Sequence, residues 1–168
     1  SRRVRRGSID FDLPEPEIVL DLQGQMTDIV RAERNMAHML IEEFMLAANE
    51  TVAGHLEELG VPLIYRVHEE PAEEKMADLA DFLASIGITL PASAKPRPRD
   101  IQRAVASAKG TNLESLVNTV VLRTMKQARY ADENLGHFGL AAPCYTHFTS
   151  PIRRYPDLIV HRIVKNSV

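Results

Sequence analysis

A stretch in the C-terminal part of the chain, residues 145–162, combines the residue types that bind an anionic ester. Hydroxyl side chains precede Pro151, an arginine pair follows it, and an apolar pattern of helical spacing begins after Pro156. Hydroxyls and backbone N–H groups at a helix N-terminus can hold phosphate oxygens, and the planar fork of arginine matches two such oxygens. A Ser-Pro pair before an apolar run is also an ordinary helix start that needs no ligand. On this chemistry alone, both interpretations stay open.

Pro156 decides the expected shape of this stretch. In a helix that began at Ser150, the ring of Pro156 would crowd the carbonyl group of Ile152. We therefore predict an irregular or 3₁₀ turn over residues 151–155, with the regular helix starting near Pro156. Such a turn would leave Arg153 free to point into a cleft.

The other residue types used in catalysis form no recognisable signature. The six histidines lack His-x-x-x-His spacing, no cluster of His and carboxylates has zinc spacing, and the histidines fit helix faces or hydrogen-bonded core positions. There is no Gly-rich phosphate loop and no nucleophile elbow. The single cysteine, Cys144, has no internal disulfide partner, and a packed bystander is favoured over a nucleophile that needs an adjacent base. These residues alone predict binding rather than a reaction.

Composition indicates one domain of a protein that works in a reducing compartment. The 168 residues are 45% hydrophobic, which is enough for a core, and no apolar run approaches the length of a membrane span. Residues 1–6 lack the apolar segment of a secretory signal. We therefore expect a cytoplasmic protein with no membrane partner.

The charge is divided unevenly along the chain. Residues 1–91 carry 8 Lys and Arg against 18 Asp and Glu, whereas residues 92–168 carry 12 against 5. A basic half beside an acidic half is typical of a polyanion-binding surface next to a scaffold, although two solvated faces that attract each other would look the same. The net charge of −3 therefore does not exclude nucleic acid as a partner.

Periodicity predicts an α+β fold with antiparallel strands at the N-terminus followed by a mostly helical region. Polar and apolar residues alternate in the first part, which predicts a short meander. The spacing then becomes helical up to Gly60, which occupies a C-cap position. The predicted strands are residues 7–13, 17–22, 26–31 and 61–68, and the predicted helices are residues 32–60, 71–86, 98–109, 113–130 and a last one from about 156.

Two charged groups on the predicted helices are candidates for function. Glu42 and Glu43 lie beside an apolar face of the long helix, where at most one can point squarely at a given site and where a solvated role is common. Arg123, Lys126 and Arg129 follow at three-residue steps, either as a stripe along a phosphate backbone or as solubilising charges.

Seven blocks of the sequence resemble the catalytic domain of the ribonuclease II/ribonuclease R family, most closely its ribonuclease R branch. The resemblance implies a processive 3′-to-5′ exoribonuclease that threads single-stranded RNA, structured RNA included, into a buried site and releases nucleoside 5′-monophosphates. It also implies that Mg²⁺ activates water and stabilises the phosphoryl charge in the intact enzyme. The blocks, in family order, are residues 6–11, 32–35, 40–49, 65–68, 125–128, 133–140 and 145–162.

The resemblance assigns roles to individual residues of this chain. Arg153 matches the arginine that grips the reacting phosphate, and Glu42 matches a carboxylate near the terminal ribose that separates RNA from DNA through the 2′-hydroxyl. Phe11 matches an aromatic residue that stacks on the terminal base, a contact that tolerates any sequence. The predicted substrate-binding residues are Phe11, Tyr145, Thr149, Ser150 and Arg154.

The resemblance to the family does not include the metal-binding residues. The family holds its metal with an aspartate cluster upstream of the region matched here, and the alternating pair Asp10 and Asp12 is not assigned that role. The cold-shock-type and S1-type domains and a second stacking tyrosine are also missing. We therefore predict that residues 1–168 are the C-terminal part of the catalytic domain, inactive alone, with no metal bound and with exposed apolar surface that can drive self-association. The alternative is a non-catalytic RNA-binding or structural fragment.

Overall fold

The computed structural model describes residues 2–9, 16–31, 35–91 and 97–167. Six helices, a short 3₁₀ helix and two small antiparallel sheets account for its regular structure, which confirms the predicted α+β class. The elements are α1 (Arg2–Arg6), β1 (Pro16–Leu20), β2 (Met26–Arg31), α2 (Met36–Glu58), β3 (Tyr65–Val67), α3 (Glu73–Ser85), α4 (Pro98–Ala108), α5 (Glu114–Thr124), β4 (Arg129–Ala131), the 3₁₀ helix (Phe138–Leu140) and α6 (Tyr155–Ser167).

The N-terminal strands β1 and β2 form the predicted hairpin. Its turn is closed by Asp21, whose side chain accepts hydrogen bonds from two backbone N–H groups, and by Gly24 in a left-handed conformation. The additional strand predicted over residues 7–13 is wrong for residues 7–9, which form a turn and an irregular segment. There Ile9 donates its N–H to the carbonyl group of Gly139, so it is held by the distant end of the chain. The rest of that predicted strand lies outside the described residues.

Helix α2 is the longest element and follows the predicted pattern. Asn35 caps its N-terminus by accepting a hydrogen bond from the N–H of His38, and Gly60 follows its C-terminal end with φ of +65°. The C-terminal half of α2 packs through Ala53 and Leu56 against β3 and α6. Its first turns carry exposed side chains. The helix therefore has a packed C-terminal end and an N-terminal end that is open to solvent.

Two hydrophobic clusters form the core. The first joins α3, α4 and α5, whose apolar faces bury residues such as Leu83, Ile101 and Val121 completely. The second joins the end of α2, β3 and α6 and includes Leu56 and Val160, both also fully buried. The 145–162 stretch predicted to bind an anion adjoins the second cluster, because Cys144, Phe148 and Val160 all pack in it.

The helix predicted over residues 113–130 is wrong in its second half. Helix α5 ends at Thr124, and the chain then forms β4, which pairs antiparallel with β3. Lys126 and Arg129 both bind the carboxylate of Glu69, at 2.9 and 2.7 Å. The predicted basic stripe along one helix therefore does not exist, because strand pairing overrides the local helical periodicity.

The β1–β2 hairpin and the first turns of α2 expose many large apolar side chains. Phe44 and Met36 of α2, for example, are 63% and 79% exposed. We call this set of exposed residues the hairpin face. Exposed apolar side chains in such number usually contact another surface in the working protein. Its other members are Ile18, Val19, Leu20, Leu22, Met26, Ile29, Val30, Met39, Leu40 and Ile41.

Candidate functional site

The segment that leads into the predicted anion site is fastened to α2 by one buried amide. Asn49, 3% exposed, donates from Nδ2 to the hydroxyl oxygen of Tyr145 and accepts at Oδ1 from the N–H of Phe148, both at 2.9 Å. His161 on α6 bonds to the carbonyl oxygen of Phe148 at 2.8 Å and stacks on its ring. The segment is thus held between α2 and α6 at successive residues.

The next residues form a turn that is held by a single carboxylate. Oδ2 of Asp157, a fully buried residue in the first turn of α6, accepts the backbone N–H of Ser150 at 2.7 Å and Nη2 of Arg154 at 2.8 Å. The carbonyl oxygen of Ser150 accepts the N–H groups of Arg153 and Arg154. The turn covers residues 151–153 and α6 begins at Tyr155, so the shape predicted from Pro156 is confirmed.

The two arginines of this turn have different surroundings. Arg153 is exposed at the turn, and its guanidinium has no side-chain partner among the described residues. The Arg154 side chain is 21% exposed and pairs with Asp157. Within the described part of the chain, three buried polar atoms lack a hydrogen-bond partner in this short stretch: Thr149 Oγ1, Arg154 Nε and Asp157 Oδ1. Unpaired buried polar atoms are costly, and their concentration at one place marks a candidate ligand site.

A row of rings lies beside this segment. His68, His137, Tyr145, His147 and Tyr130 follow one another edge to face, with centroid distances of 5.0, 5.2, 5.9 and 5.7 Å. The Tyr130 hydroxyl and Nδ1 of His147 are hydrogen-bonded at 2.8 Å. Burial lowers the pKa of His68, lowers that of His137 to about 3 and lowers that of His147 to about 4, where Arg154 adds to the effect. These imidazoles are therefore neutral near pH 7.

The stability of the chain is expected to fall on mild acidification. Unfolded histidine protonates near pH 6.5, whereas folded His137 and His147 stay neutral until about pH 3 and 4. The unfolded state therefore binds more protons below pH 6.5, and the free energy of unfolding decreases from there toward pH 3. Urea denaturation at pH 7 and pH 5, at one protein concentration, measures this decrease.

A double variant isolates the contribution of these two rings. His137→Asn with His147→Asn should flatten the decrease between pH 7 and pH 5, whereas His55→Asn, at an exposed position of α2, serves as the control for loss of a surface imidazole. An equally steep decrease in the double variant would contradict the assignment to these rings.

Glu42 lies on the open end of α2, away from the turn in sequence but tied to the N-terminal helix. Arg3, which is 7% exposed, pairs with Glu43 at 2.9 Å and approaches Glu42 at 3.7 Å. Nη1 of Arg3 also donates to the Ser8 hydroxyl. Both carboxylates are half-buried, and Arg3 lies beside the two of them.

The structure brings together the five predicted residues of the C-terminal stretch in one anchored segment and turn. Glu42 lies on α2, the same helix whose Asn49 anchors that segment, and Phe11 lies outside the described residues. The anchored segment also depends on two residues that the sequence did not indicate, Asn49 and Asp157. Asp157 could have been found from its spacing, three residues after Arg154 at a helix start; nothing in the sequence pattern marks Asn49.

Metal ligation finds no support in the described residues. They contain no group of three or more His, Cys, Asp or Glu side chains that could hold a metal ion, and Asp10 and Asp12 lie outside them. Mg²⁺ prefers carboxylate and water oxygens, which the described part of this site does not gather. Cys144 is buried, and burial raises the pKa of its thiol to about 12, so it is not a thiolate nucleophile. No helix in the described ranges is long and apolar enough to cross a membrane.

Comparison with known proteins places the chain in a family. Residues 1–168 match the RNB domain. Ribonuclease R of Aquifex aeolicus is 48% identical over 167 residues, which are 99% of this chain and 24% of that protein. The structure of Mycoplasma genitalium RNase R in complex with ribose methylated single-stranded RNA superposes with a TM-score of 0.89 at 35% identity, over 97% of this chain and 26% of that one.

A third similarity is to a protein described as a pseudonuclease. The structure of yeast Ssd1, a pseudonuclease, gives a TM-score of 0.72 at 29% identity over 81% of this chain and 17% of that one. The chain spans only a fifth to a quarter of the length of the curated relatives it matches. The family model matches all 168 residues, and the relatives are ribonuclease R proteins, which confirms the resemblance predicted from the sequence. The chain belongs to the RNB domain family.

Proposed function

We propose that this chain is the phosphate-gripping part of a processive 3′-to-5′ exoribonuclease that hydrolyses single-stranded or structured RNA to nucleoside 5′-monophosphates. The observation that carries the proposal is the anchored turn with its exposed Arg153, found in a chain of the RNB domain family. Similarity to ribonuclease R over nearly the whole chain supports the reaction class.

Arg153 binds the scissile phosphate in this proposal. A guanidinium can donate two parallel hydrogen bonds to phosphate oxygens and so favours the charge that develops on them during hydrolysis. Arg153 is exposed and unpaired among the described side chains, so it need not break an ion pair to do this. The hydroxyl of Thr149, buried and without a partner there, and that of Ser150 lie on the approach to the same turn.

Three further contacts complete the proposed binding of RNA. Glu42 accepts a hydrogen bond from the 2′-hydroxyl of the terminal ribose, which would separate RNA from DNA. Phe11 stacks on the terminal base. Tyr145 and Arg154 also contact RNA in this proposal. The Tyr145 hydroxyl is already bound to Asn49, so the ring makes the contact, and Arg154 uses the guanidinium nitrogens that do not bind Asp157.

The remainder of the active site belongs to sequence outside this chain in our proposal. Residues 1–168 are the C-terminal part of the catalytic domain, and the ligands of Mg²⁺, which supplies an activated water in such enzymes, lie elsewhere in the full-length protein. The short coverage of the relatives supports this division. A cytoplasmic location belongs to the same proposal and is tested by fractionating cells that produce the tagged full-length protein.

The reaction is tested by comparing RNA with DNA. With Mg²⁺, the full-length protein should shorten a 5′-labelled RNA from its 3′ end to mononucleotides and leave DNA of the same sequence intact. A non-catalytic RNA-binding role is the second candidate, favoured by the similarity to a pseudonuclease. Retention of RNA without shortening would establish that second role and overturn the first.

The isolated 168-residue chain should degrade no RNA and should self-associate. The hairpin face exposes Ile29 and Phe44 at 58% and 63%, and burying such surface is worth about 25 cal/mol per Å². Light scattering should show a mass that rises with concentration, and Ile29→Lys should lower it. Leu116→Lys, a comparable exposed residue on α5, is the matched control. A monomer at all concentrations would contradict self-association.

A further inference from the structure

We propose that Asp157 is the positioning residue that aims Arg153 at the phosphate, an inference that rests on the proposed function. Its Oδ2 receives one bond from each end of the turn, from the Ser150 N–H and from the Arg154 guanidinium. Arg153 lies between these two anchors, and its own N–H bonds back to the Ser150 carbonyl oxygen at 3.3 Å. The carboxylate therefore closes the turn around the residue that meets the ligand.

The surroundings of Asp157 make this closure rigid. The residue is fully buried in the first turn of α6, where a negative charge is favoured by the helix N-terminus. Val160, also fully buried, fixes the same helix in the second core cluster. A buried carboxylate that is bound to a cation and a backbone N–H has little rotational freedom. The packing of α6 in the core therefore fixes the position of the turn.

The ion pair with Asp157 also distinguishes Arg154 from Arg153. Arg154 supplies a cation to Asp157 inside the protein, whereas Arg153 has no such partner within the described ranges. A displacement of about 1 Å at a reacting group can cost roughly 100-fold in rate. Loss of the Asp157 charge should therefore lower turnover through the orientation of Arg153, although Asp157 need not touch RNA.

A double-mutant cycle in the full-length protein tests the inference. Asp157→Asn keeps the size of the side chain but removes its charge, and we expect turnover at saturating RNA to fall about 10-fold to 100-fold. Combined with Arg153→Lys, it should add less than about twofold to the loss, because the residue through which it acts is already impaired. A merely structural role would lower turnover by the same factor in both backgrounds, and that result would overturn the inference.

Asp100 offers a matched control. It is 3% exposed, accepts from a backbone N–H and from an arginine three residues earlier, and leaves Oδ1 unpaired, but it caps α4 in the other core cluster. Asp100→Asn should show no coupling to Arg153→Lys. If Asp157→Asn fails to fold, Asp157→Glu, which keeps the charge but shifts it by one methylene group relative to the Ser150 N–H and the Arg154 guanidinium, enters the same cycle with the same two outcomes.

The cycle separates this inference from the proposed function. If Arg153→Lys alone keeps wild-type turnover, the assignment of Arg153 fails and the inference fails with it. If Arg153→Lys loses turnover and the losses multiply, only the role of Asp157 fails.

Discussion

Replacing Arg153 by lysine in the full-length protein is expected to lower RNA turnover about 100-fold, the size of effect seen when one preorganised donor to a developing anion is lost. Lysine keeps the positive charge but not the planar fork, so it attracts the phosphate without holding two oxygens at once. The exposed position of Arg153 means that the change should leave the fold intact. The rate of mononucleotide release from labelled RNA measures the loss.

A matched substitution controls for the loss of a guanidinium near the site. Arg162 is also exposed and lies on α6, beyond the turn, so Arg162→Lys should change turnover little. An equal loss in both variants would show that the effect follows from losing any guanidinium on this side of the chain rather than from a grip on the reacting phosphate.

Replacing Asn49 by leucine is expected to destabilise the chain by about 3 kcal/mol, because one buried and one part-buried partner lose their hydrogen bonds. The Tyr145 hydroxyl loses its donor, and the Phe148 N–H loses its acceptor. Both partners belong to the segment before the Ser150 turn, so RNA turnover in the full-length protein should fall as well. Urea denaturation at a fixed concentration of the chain measures the change in stability.

Asn118 provides the comparison for this second variant. It too is 3% exposed, but its Oδ1 has no hydrogen-bond partner in the described residues. Asn118→Leu should therefore cost much less than Asn49→Leu, since it leaves no N–H without its acceptor. Equal losses at the two positions would contradict the anchoring role of Asn49.

Features set by neighbouring residues could be predicted from the sequence. Gly60 after α2 and the turn imposed by Pro156 depend on backbone sterics over a few residues, and both are found where expected. The β1–β2 hairpin follows from alternation and its turn residues in the same way. Backbone sterics and turn preferences were sufficient wherever a feature depends only on residues a few positions apart.

Features that depend on distant partners could not be predicted. The segment after α5 pairs with β3, and Glu69 draws both Lys126 and Arg129 to it, so a helical pattern ends as a strand. The Asn49 amide meets Tyr145 across 96 positions, a relation that no spacing in one sequence encodes. The same holds for the candidate site. Its residues could be named from the 145–162 stretch, but the hydrogen bonds that anchor them could not be predicted.

The most direct test is to measure the turnover and the RNA affinity of the full-length protein and of its Arg153→Lys variant on one single-stranded RNA. A phosphate grip predicts that turnover at saturating RNA falls about 100-fold while the dissociation constant changes only a few-fold, because the fork acts mainly as charge develops. Wild-type turnover in the variant would contradict the role of Arg153 and, with it, the proposed site.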